Sequence, residues 1–203
     1  MFLLNEILVF SPGRRQEGFD RLSYIHGLMA PSPGFRQAIV ARYLGDPQTH
    51  TVLRYWDSAE AFQEFRAGPN GNYGRNRPEG LYTNHPVIPQ WQSFAECENP
   101  PDDGSLLIKV ERPVSAAQWA AYQAYAQATL TLTEKAHGLT SVVAFKAVDQ
   151  EAGISVTRMR SRADLEAFVD NPEYAATRSM LPADIPHASF GVFEVVSVVK
   201  PVR

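Results

Sequence analysis

From the end of the strand that precedes the second predicted helix to the last strand of the first half, the chain gathers Trp56, Tyr73, Arg75, Arg77, Tyr82, His85 and Trp91. Aromatic side chains stack on planar rings, and a few polar groups set in such a wall suit a planar phenolic substrate. An arginine or a neutral histidine favours the phenolate, the electron-rich form that reacts with dioxygen. A base of near-neutral pKa, such as His85, would take the phenolic proton. His85 and Arg75 are therefore the candidate catalytic pair. Trp56, Tyr73, Arg77, Tyr82 and Trp91 are candidate substrate-binding residues. The competing reading makes Trp56 and Trp91 core residues and the arginines a solvated loop, and for Trp56, at a strand end facing a helix, core is favoured.

Other chemistries find less support. The five histidines show no His-x-His or His-Glu-x-x-His spacing, so no metal site is expected. His26 and His137, on helix faces or ends, read as core or capping groups. The glycine-rich stretch 68–74 is neither a phosphate loop nor a dinucleotide turn, and no Gly-x-Ser-x-Gly elbow occurs. The single cysteine, Cys97, excludes an internal disulfide and a cysteine-cluster metal site, and reads as an inert strand-end thiol.

Composition narrows the class further. The 203 residues are 44% hydrophobic and 20% charged, enough apolar content for a folded core. A net charge of −3 argues against a nucleic-acid binder, which needs a basic face. The apolar start is broken by Asn5 and Glu6 and reads as a strand rather than a signal peptide. No run approaches the length of a membrane span. A cytoplasmic protein with a small-molecule partner is expected, with no nucleic acid and no membrane.

The elements that position these residues appear twice. Pro12 matches Pro113, Gly34 matches Gly138, Arg54 matches Arg158, Phe65 matches Phe168, and Phe94 matches Phe193, in unchanged order. Tyr73 with Arg77 likewise matches Tyr174 with Arg178. Because Arg54 and Arg158 recur, an ion pair or a register-holding charge is preferred for them over ligand binding. Each half reads β-α-β-β-α-β: apolar runs at 3–10, 35–44, 49–56 and 90–96 are strands, and 15–30 and 58–67 are helices. The second half gives strands at 106–111, 138–148, 153–159 and 188–199, with helices from Ser115 to about His137 and from Ser161. Ser115 with Gln118 forms a capping box, and Ser58 and Ser161 are N-cap candidates. The predicted organisation is a first ferredoxin-like repeat at 1–98, a Pro/Asp linker at 99–104, and a second repeat at 105–203. Several strands are apolar on both faces, so the two antiparallel sheets are expected to pack together in one α+β chain.

The stretch Val52–Phe62, a strand ending in an aromatic, a serine cap and an amphipathic helix, resembles the dimeric α/β-barrel superfamily and within it the antibiotic biosynthesis monooxygenase group. Val156–Leu165 is a weaker copy. The resemblance implies an intramolecular barrel of the kind usually built from two chains, with further homodimerisation compatible. It also implies a monooxygenase of aromatic or quinone-like small molecules that needs no cofactor. The same barrel would also serve a cyclase, dehydratase or isomerase, or a non-catalytic ligand-binding or stress-response protein. Heme-degrading relatives use an Asn on the first strand, a Trp on the second helix and a later His. Here Asn5 fits the first place, but the others fall on Phe65 and Arg75. The implied iron ligand is missing, and Asn5 and Phe65 enter instead as substrate-binding candidates.

Overall fold

In this computed structural model residues 1–72, 77–98 and 104–202 are described. The order is β1 (Phe2–Val9), α1 (Arg15–Met29), β2 (Phe35–Tyr43), β3 (Thr49–Trp56), α2 (Ala59–Ala67), β4 (Gln90–Glu98), β5 (Leu106–Pro113), a 3-10 turn (Ala116–Gln118), α3 (Trp119–Thr133), β6 (Leu139–Ala147), β7 (Ala152–Met159), α4 (Arg162–Val169), α5 (Pro172–Arg178) and β8 (Ser189–Val199). The strands follow the order β1-β3-β2-β8-β5-β7-β6-β4 and close into a barrel, the α+β fold expected. The order β4-β1-β3-β2 recurs as β8-β5-β7-β6, consistent with a tandem duplication.

The chain divides into two compact units, Met1–Trp91 with Val195–Arg203, and Gln92–Glu194. β4 begins in the first and ends in the second; β8 does the reverse. The linker expected at 99–104 lies outside the described residues except for Gly104.

Local chemistry explains the helix starts. Ser58 Oγ accepts from the backbone N–H of Ala61, and Ser161 Oγ from that of Asp164. Ser115 and Gln118 make the reciprocal capping box. Each such cap contributes about 1 kcal/mol. Gly34 and Gly138 open β2 and β6 at φ of +75° and +76°, which glycine adopts without steric penalty. α5 falls on a stretch with no predicted helix. Asn171 caps it by accepting from the Glu173 N–H, and Pro172 supplies the preset φ of a first helical turn.

Each unit buries the helix-facing side of its sheet. In the first, Phe2, Leu4, Ile25, Met29, Phe35 and Trp56 form one cluster, and Leu8, Phe10, Leu22, Val40 and Val52 another. In the second, Leu106, Ile108 and Met159 pack against Leu165 and Phe168.

Candidate functional site

A cavity of about 540 Å³ opens in the first unit between its sheet and helices. Its apolar walls come from β1 (Leu4), α1 (Ile25, Met29) and α2 (Phe62, Phe65). The segment 77–90 contributes Arg77 and Tyr82 and is tied to β1. Asn84 acts there like a strand residue: its Nδ2 donates to Ile7 O at 2.8 Å, and its Oδ1 accepts from Val9 N at 2.9 Å. Thr83 N donates to Val9 O at 2.8 Å, and Ser11 N to Leu81 O at 3.0 Å.

The floor is ionic. Arg54, 6% exposed, donates from Nη1 to Glu6 Oε2 at 2.9 Å. Arg77 Nη2 donates to the other oxygen, Glu6 Oε1, at 2.7 Å. Arg54 Nε donates to His26 Nε2 at 3.2 Å, which puts the neutral ring's proton on Nδ1. Burial, and then the Arg54 charge, push the His26 pKa down to about 3, so it is a neutral acceptor at physiological pH. Tyr82 is pushed up, first by burial and then by Glu6, with Arg21, Arg77 and Arg54 opposing. It stays a phenol, able to donate. Among the described residues, no group of three His, Cys, Asp or Glu side chains is placed to hold a metal ion.

The sequence candidates divide. Phe65, Arg77 and Tyr82 line the cavity. Trp56 is fully buried behind its wall, with ring centroids 5.3 Å from Phe35 and 5.4 Å from Phe65. Trp91 is also fully buried and outside the lining. Asn5 points to the opposite sheet face from Leu4 and Glu6, where it accepts from Thr51 Oγ1 at 3.1 Å. His85 is exposed and not in the lining. Tyr73 and Arg75 lie outside the described residues. Glu6 and Arg54 were not among the binding candidates, nor was His26. The available signal was three polar residues on otherwise apolar, helix-facing positions.

The second unit has a counterpart cavity of about 100 Å³. Its ladders locate the equivalents. Trp56 pairs with Phe2 and Phe35, and Met159 with Leu106 and Leu139, with a bulge just after Phe35 and after Leu139. Glu6 then corresponds to Val110 and Arg54 to Thr157, and both counterparts line the smaller cavity. Buried Gly18, Leu22, His26 and Met29 match Tyr122, Ala126, Leu130 and Thr133 at the same spacing, so His26 corresponds to Leu130. The sequence match of Arg54 with Arg158 is one residue out of register. Arg158 sits between Thr157 and Met159 in β7 and turns to the other face, where its Nη2 donates to Gly104 O at 2.6 Å.

Residues 2–70 match the family model described as Antibiotic biosynthesis monooxygenase. That match covers about a third of the chain, all of it in the first half. The cavity's β1, α1, β3 and α2 residues all fall inside the matched stretch. Solved structures extend the likeness of fold over the whole chain. A proposed monooxygenase from Fusobacterium nucleatum subsp. nucleatum superposes with a TM-score of 0.84 at 8% identity, covering 98% of this chain and 94% of its own. One from Lactobacillus acidophilus gives 0.80 at 9%, covering 98% and 97%. An anthrone oxidase-like protein gives 0.72 at 16%, covering 98% and 92%. No curated protein matches the sequence.

Proposed function

We propose that the first-unit cavity oxygenates an aromatic, quinone-like small molecule without a metal or bound flavin. The observation that carries this is the joining of an aromatic wall (Phe62, Phe65, Tyr82) to a buried guanidinium floor in a cavity large enough for a drug-sized ligand. A phenol fused to a ring-flanked methylene is the fitting substrate. Losing one proton to solvent water gives an anion whose charge Arg54 and Arg77 stabilise, with Tyr82 donating to the same oxygen; the proton is returned when water forms. That anion passes electrons to dioxygen. One oxygen atom ends as the new carbonyl, and the other leaves as water with the two methylene hydrogens, so the substrate supplies all the electrons. His85, exposed outside the lining, and Arg75 are left to the assay. Oxygen uptake with a panel of hydroxyanthrones tests the proposal. One dioxygen consumed per quinone formed is expected. No uptake across the panel overturns it.

A further inference from the structure

We propose that the ligand of this cavity is a planar aromatic anion, seated by its charged group on Arg54 and Arg77. The inference deepens the oxygenase reading by naming the charge state of its substrate. Among the described residues that line the cavity, Arg54 and Arg77 both pair with Glu6, the lone carboxylate of that lining. Glu6 is shared: one oxygen meets Arg54 and the other Arg77, at 2.9 and 2.7 Å. One negative charge therefore answers two guanidinium groups, one of them almost wholly buried. His26, the remaining partner of Arg54, is neutral and adds no charge to the balance. Excess positive charge in a poorly solvated site favours binding of a counter-charge there. Tyr82 responds to Glu6, Arg21, Arg77 and Arg54 together, so these charges converge on one region of the cavity. The apolar remainder, Leu4, Ile25, Met29, Phe62 and Phe65, suits a flat hydrocarbon body rather than a free inorganic ion. Among the described residues that line the second unit's cavity, Arg112 is the one charged side chain, and none is a carboxylate.

The test compares 2-naphthoate with 2-naphthamide, near-isosteres of which the first is an anion and the second neutral, by titration calorimetry on the full chain at low ionic strength. The anion is expected to bind about tenfold tighter or more, with the preference shrinking in high salt. Glu6→Gln removes the competing carboxylate, so it should raise the preference for naphthoate over naphthamide several-fold. Equal binding of the two probes, tighter naphthamide, or binding of neither overturns the proposal. Oxygen uptake with hydroxyanthrones reads the parent proposal separately. Uptake without anion preference sinks only the charge assignment, and anion preference without uptake sinks only the oxygenase.

Discussion

The two cavities are lined from matching positions in the two units, yet one is about 540 Å³ and the other about 100 Å³. Three matched positions separate them: Glu6, His26 and Arg54 in the first unit, Val110, Leu130 and Thr157 in the second. The second unit fills its space with rings. Tyr122 and Tyr125 project from α3, and Tyr174 on α5 packs 4.6 Å from Phe168. Gly153 leaves room for the Tyr122 ring, while in the first unit Gly18 leaves room for Phe10, so the large residue has moved from strand to helix. A helix-facing sheet surface folds with either set. The second unit builds this face without the polar set, and buried ionisable groups of that kind are enriched at functional sites.

The comparison can be broken most severely at Arg54. Arg54→Thr installs the second unit's residue and leaves the Glu6 carboxylate buried with Arg77 alone. Breaking one side of a buried pair costs about 3–5 kcal/mol, so denaturant titration should show a large loss together with loss of naphthoate binding.

His26→Leu, again the second unit's residue, strands the Arg54 Nε–H and should cost about 1–3 kcal/mol at neutral pH. It also removes a pH dependence. The folded pKa of about 3 lies below the unfolded value of 6.5, so the neutral ring's contribution is complete above pH 6.5 and is lost as pH falls towards 3. Over that window the wild type should lose up to about 1.4 kcal/mol per pH unit relative to the variant. Stability curves of both proteins from pH 7 to pH 4 check the sign.

On the other side, Gly153→Ala pushes a Cβ into the Tyr122 ring and should cost about 1–3 kcal/mol by overpacking, without altering ligand binding in the first unit. The smallest effect is expected at His85. As an exposed residue outside the lining, His85→Ala should change stability by less than about 0.5 kcal/mol and leave hydroxyanthrone turnover near wild type. A large loss of turnover would return the base to His85.

What the sequence disclosed was local. Ser58, Ser115 with Gln118, and Ser161 each act within a few residues, and the structure shows their caps. The repeated strand-helix pattern was legible for the same reason, since period and capping are short-range signals. The site was not. Glu6 and Arg54 are 48 residues apart and meet only through the β1–β3 ladder. Arg54 and Arg158 look equivalent in one dimension, but a single-residue shift of register sends them to opposite faces. In the one-dimensional pattern Glu6 was a break in an apolar strand and His26 a core group. Only their shared partner gives them a chemical meaning.

If the Glu6–His26–Arg54 set serves the first cavity rather than the fold, the barrel should stand without it. The triple variant Glu6→Val, His26→Leu, Arg54→Thr gives the first unit the second unit's residues and tests this most directly. Exchanging a buried ion pair for apolar groups is often neutral to stability. The expected outcome is a folded protein, with a denaturation midpoint close to wild type, that no longer binds 2-naphthoate or consumes oxygen with hydroxyanthrones. A folded triple variant that keeps both properties, or one that cannot fold without the polar set, contradicts it.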